Sequence, residues 1–173
     1  MVRDEAGLEQ SIAGAEGMLR QATTMAGRLA AGRSARPLVF VTERPADLRA
    51  TLLWMGGQLS IQGHRTVLIE GPESARAKIS DSLVAAGDGK EAPQVVVLLV
   101  PMINALGRPT LAALLDALHL AAMNRDTLGC IAVGRPDSLA TLGNLRPFAE
   151  TLIEFKRIPA ALRFESAKAT KNL

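Results

Sequence analysis

Arg44, Arg49, Arg108 and Arg135 are side chains whose type and placement could bind an anion. They fall near the C-terminal ends of predicted strands, the edge at which parallel sheets bind ligands. An anion or a nucleotide monophosphate could dock on them without a glycine loop, although solvated surface arginine is the commoner condition of such side chains. Asp116 and His119 are one helical turn apart and could touch. A zinc site needs more ligands than this pair supplies. A catalytic triad needs a placed nucleophile, and no G-x-S-x-G occurs. His64, between Gly63 and Arg65, reads as an exposed residue at a helix end. Cys130, inside Gly-Cys-Ile-Ala-Val, reads as a small core residue. No G-x-G-x-x-G turn supports a dinucleotide, and no metal or cofactor is expected.

The elements that must position these residues are those of one α/β domain over residues 1–173. A length of 173 residues fits a single domain. The apolar share of 48% is carried by aliphatic side chains, while aromatics make up 3% and Tyr is absent. That weakens any case for base stacking. The net charge is +3. Residues 1–124 are balanced at 12 basic and 12 acidic side chains, whereas residues 125–173 hold 8 basic and 5 acidic. This is a mild bias rather than a clustered nucleic-acid footprint. The single cysteine suits a reducing cytoplasm. No signal peptide or membrane-length apolar run is visible, so a cytoplasmic location and no membrane partner are expected.

Residues 1–34 read as an N-terminal amphipathic helix, with Leu8, Ile12, Ala15, Leu19, Ala22, Ala26 and Leu29 on one stripe. Arg20, Arg28 and Arg33 lie off that stripe or beyond it. The stripe can pack on the domain's own sheet, or Leu8, Ile12, Leu19 and Leu29 can form a seam with another chain. Residues 35–173 read as alternating strands and helices. Strands are expected at 38–42, 65–70, 94–100 and 129–133, with the strand at 94–100 in the middle of the sheet. Helices are expected near 46–62 and 73–86, from Pro109 through Ala122, and briefly after Pro136. Repeated strand–helix units give a mostly parallel sheet flanked by helices. The stretches 151–155 and 161–165 alternate polar and apolar residues, as in a C-terminal antiparallel hairpin.

This order of elements resembles the core of RecA-type ATPases, and within them KaiC-like proteins, over most of residues 35–171. The resemblance lies in Leu38 to Arg49, Val95 to Val100, Leu111 to Met123, Leu128 to Val133 and the closing pair of strands. It implies that Glu43 stands where the family places a water-activating glutamate, which makes Glu43 the one catalytic candidate. Two departures matter. No segment matches G-x-x-x-x-G-K-[ST], whose glycines let backbone N–H groups wrap the phosphates and whose lysine and hydroxyl serve phosphate and magnesium. The strand at Val95 to Val100 runs into Pro101-Met102-Ile103, with no carboxylate for a metal. An alternative register sets Glu43 to Ala50 on the phosphate loop and Arg49 in the lysine slot, again without the glycines or the hydroxyl. In either register phosphoryl transfer is not expected.

The sequence therefore points to a non-catalytic relative of this class that works through a protein partner or self-association. A degenerate nucleotide-binding ATPase is one alternative. A DNA-associated accessory using the basic stretch from Lys156 to Lys171 is another.

Overall fold

The computed structural model describes residues 2–87 and 94–158, with side chains described from residue 14 onward. The first helix, α1, runs Val2–Ala30 and is kinked at Gly14, where φ is +38°. An L side chain rarely adopts that backbone conformation, so the glycine allows the break. The periodicity alone predicts an unbroken helix and misses the kink. Strand β1 is Leu38–Val41, followed by a 3-10 turn at Pro45–Leu48 and helix α2 at Arg49–Ile61. Strand β2 is Arg65–Leu68 and helix α3 is Ala75–Gly87. Strand β3, Val96–Val100, leads through a 3-10 turn at Ile103–Ala105 into helix α4, Arg108–Asn124. Strand β4 is Leu128–Gly134, helix α5 is Ser138–Leu145, helix α6 is Ala149–Leu152, and strand β5 is Glu154–Arg157.

The five strands are all parallel, in the order β2-β3-β4-β1-β5. The middle strand is β4, not β3 as its more apolar sequence suggests. Both are buried along their whole length, because each has a neighbour on both sides and helices on both faces. Such strands read as continuous apolar runs, and composition cannot rank two of them. The stretch expected to open an antiparallel hairpin also differs. Thr151 and Leu152 close α6, and the strand starts at Glu154 and pairs parallel with β1. The expected second strand of the hairpin, at 161–165, lies outside the described residues.

Alternation along the strands separates two cores. Val39, Val41, Val96, Leu98, Cys130 and Ala132 face α3, α4 and α5. Leu38, Phe40, Val97, Leu99, Ile131 and Val133 face α1 and α2. Each fully buried Val, Leu or Ile contributes about 1.5–3 kcal/mol. The second half of α1 belongs to this domain's own core. Met18, Ala22, Met25, Ala26 and Leu29 are buried, and Leu19 packs against the same cluster. The approach to β4 is close, since a Cβ on Gly129 would stand 2.9 Å from Met25 Cε.

Candidate functional site

The strand order places a topological switch between β1 and β4. From β1 the chain leaves through α2 on one face of the sheet, and from β4 it leaves through α5 on the other. The crevice outside the C-terminal ends of two such strands is where open parallel sheets take ligands. The ladder between the two strands runs one bond past β1, with the Thr42 backbone N–H donating to the Gly134 carbonyl at 3.0 Å. Thr42 is buried. The chain then turns at once into the 3-10 segment, whose Pro45 and Leu48 are buried. A proline-initiated turn with two inward-facing apolar residues lacks the glycines of a phosphate nest.

Glu43 and Arg44 are exposed on this turn. Glu43 follows β1, and β4 separates β1 from β3. The strand leading into Glu43 is followed directly by the turn and α2, an order that both registers share. Arg49, at the start of α2, is ion-paired with Glu70 beyond β2. Both side chains are about half exposed, so the pair adds little stability, but it gives the Arg49 guanidinium a protein carboxylate. Arg108 is exposed at the first position of α4. Arg135 is exposed after β4, with Nε 3.8 Å from Asp137 Oδ1. Arg44, Arg108 and Arg135 therefore follow β1, β3 and β4 at one edge of the sheet.

Asn104, which the sequence did not single out, ties this edge together. Its Oδ1 accepts from the Arg135 backbone N–H at 3.0 Å and from Ser138 Oγ at 2.9 Å. The two donors lie on the connection after β4, while Asn104 lies on the connection after β3. Gly134 makes the close fit feasible, because a Cβ there would meet Ser138 Oγ at 2.5 Å and Ile103 Cγ2 at 2.7 Å. No local sequence signal marks Asn104, because its partners are 31 and 34 residues away.

The remaining titratable candidates take structural partners. Asp116 accepts two hydrogen bonds from Arg146, at 2.8 and 3.0 Å, and these hold its carboxyl below the usual aspartate range. His119 stacks on Phe148, with ring centroids 4.3 Å apart. The Asp116–His119 pair thus has competing partners on the segment from Arg146 to Phe148. Cys130 is buried, and burial pushes its thiol up to about 12, far from nucleophilic use at neutral pH. Among the described residues no group of three or more His, Cys, Asp or Glu side chains is placed to hold a metal. No helix among them is long and apolar enough to cross a membrane.

Two cavities open at the opposite, N-terminal edge of the sheet. One, of about 650 Å³, lies between α1 and β5 and is lined by Arg20, Gln21, Arg28, Arg36, Glu154 and Lys156, among others. The other, of about 460 Å³, lies where α1 and α4 end and includes Arg28, Arg33, Arg125 and Asp126. They share Arg28, Ser34 and Ala35 and so adjoin. The sequence signal for them was the set of arginines off the apolar stripe of α1.

An all-parallel sheet in this order, covered by helices on both faces, defines a P-loop NTPase-like fold. Solved structures it resembles include proteins of the ORC and Cdc6 kind. A Drosophila ORC structure bound to poly(dA/dT) DNA and Cdc6 superposes with a TM-score of 0.66 at 10% identity, over 98% of this chain and 32% of the other. Drosophila ORC bound to GC-rich DNA and Cdc6 gives 0.65 at 12% identity, over 99% and 32%. Cdc6p from Pyrobaculum aerophilum gives 0.53 at 14%, over 81% and 44%. The chain thus spans about a third of the ORC chains and under half of the Cdc6p chain, and at these identities the likeness is one of fold. No protein-family model matches the chain, and no characterised sequence matches it.

Proposed function

We propose that the chain is a non-catalytic module of the P-loop-like class, of RecA/KaiC kinship, acting through a protein partner or through self-association. The observation that carries this reading is the connection from β1 to α2. Where a glycine loop would wrap a triphosphate, the chain has a short proline-initiated turn with buried Pro45 and Leu48, and the arginine in the lysine slot is paired with Glu70. The carboxylate-free end of β3, Val100-Pro101-Met102, supports the same reading, because magnesium has no ligand there. The RecA/KaiC kinship rests on element order alone. Leu8 and Ile12, ahead of the kink, are the stripe residues proposed to meet a partner. The test is phosphate release from ATP and magnesium by the wild type and by Glu43→Gln. Both are expected at the no-enzyme background. Release above background that Glu43→Gln abolishes sinks the proposal.

A second reading, a DNA-associated accessory protein, has two supports. The fold neighbours include ORC structures bound to DNA, and the charged side chains that line the cavities at the N-terminal edge are mostly cations. In this reading the nucleotide edge is a relic and the working surface lies elsewhere.

A further inference from the structure

The two adjoining cavities concentrate charge in a way the whole chain does not. Their walls carry six cations, Arg20, Arg28, Arg33, Arg36, Arg125 and Lys156, against two carboxylates, Asp126 and Glu154. That surplus exceeds the +3 of the entire chain, so the rest of the molecule is slightly acidic. The geometry is built by regular elements. Arg20, Thr24 and Arg28 recur every four residues and share one face of α1. Glu154 and Lys156 lie two apart on β5, and their partners Leu38 and Phe40 point to the α1 side of the sheet. Strand β5 has no neighbour beyond it among the described residues. The groove is therefore walled by a helix face on one side and an edge strand on the other, and it continues around residues 32–36 to the end of α4.

Local structure accounts for only part of this charge. Arg28 and Arg125 sit at helix C-termini, where a cation offsets the helix dipole. Arg28 Nε also donates to the Ser34 carbonyl at 3.0 Å. Lys156 pairs with Glu154 at 2.9 Å, and Arg36 acts on the same carboxylate. One carboxylate thus faces the four cations of the larger cavity. Gln21 is among its lining residues, and the Gln21 Oε1 is buried with no hydrogen-bond partner among the described residues. Among the described residues no aromatic side chain lines either cavity, so bases have no ring there to stack on.

We infer that this groove is a sequence-independent seat for the phosphate backbone of duplex nucleic acid. A polyanion matches a continuous run of arginines, whose planar forks suit phosphate oxygens. The lack of rings favours a paired duplex over splayed single strands. The inference rests on the second reading above and is independent of the first. It puts the ligand at the end of the sheet away from Glu43, on residues 20–36 with Arg125 and Lys156, rather than on the basic stretch after Lys156.

The experiment is fluorescence anisotropy with a labelled random-sequence DNA duplex about 30 base pairs long, titrated between about 50 and 200 mM salt. Wild type is compared with two triple variants of equal charge. Arg20→Gln, Arg33→Gln and Arg36→Gln remove exposed cations of the groove. Arg44→Gln, Arg108→Gln and Arg135→Gln remove exposed cations of the opposite edge. Wild type is expected to bind with a steep salt dependence. The groove triple is expected to flatten the slope of log affinity against log salt by about 3, roughly one per lost phosphate contact, and the opposite triple to leave it unchanged. Equal losses from the two triples overturn the groove while leaving DNA association standing. Absence of wild-type binding at low salt overturns both. Displacement of the duplex by polyaspartate at a lower charge concentration than by unlabelled duplex also overturns the inference, in favour of an acidic protein segment. Circular dichroism of each triple checks that the fold is retained.

Discussion

At the scale of single residues, the charged side chains separate by what they touch. Arg49 and Asp116 each have a partner in the fold, while Glu43, Arg44 and Arg108 stand exposed at the strand ends. The Asp116–Arg146 pair has a consequence that can be measured. Hydrogen bonds from Arg146 hold the Asp116 carboxyl below its ordinary value. A carboxylate depressed in the folded state adds stability that is present above its unfolded pKa and lost as pH falls through the folded one. Asp116→Asn is therefore expected to lower stability at neutral pH and to match wild type at pH values well below about 4. Urea unfolding at several pH values checks this, and a constant gap between the two proteins at all pH values would contradict it. The residues with these roles were only partly legible in the sequence. The Asp116–His119 spacing showed, but Arg146 and Phe148, which engage them, come from a segment about thirty residues later. Asn104 was invisible for the same reason.

At the scale of elements, periodicity found nearly every helix and strand, because buried strands and amphipathic helices leave local patterns. It missed what depends on partners. The pairing of β5 is parallel because its edge meets β1, and no local alternation encodes direction. The kink at Gly14 and the central place of β4 were missed likewise. The stripe of α1 left two homes open, its own sheet or another chain, and from Met18 to Leu29 the helix is packed into its own core. Met25 is 3% exposed and lies over Gly129. Met25→Ala removes that packing and is expected to cost about 2–5 kcal/mol of folding stability. A shift in the urea midpoint reads this directly, and an effect within about 0.5 kcal/mol, as at a surface position, would show that α1 does not pack there.

At the scale of the whole molecule, the sheet keeps a P-loop-like architecture while its two edges differ. The C-terminal edge, where open parallel sheets take ligands, carries the proline-initiated turn with buried Pro45 and Leu48. The N-terminal edge holds the adjoining cationic cavities. The missing glycines were plain in the sequence because a phosphate loop is a contiguous motif. The cavities were not, because they join α1, β5 and the end of α4, which only the fold brings together. The central claim is that the C-terminal edge has lost the capacity to hold a nucleotide triphosphate, and isothermal titration of the protein with ATP and magnesium tests it most directly. No saturable heat is expected up to millimolar nucleotide, corresponding to binding weaker than about −4 kcal/mol. Saturable one-to-one binding at micromolar concentration, about −8 kcal/mol, that Arg49→Ala weakens would contradict the account.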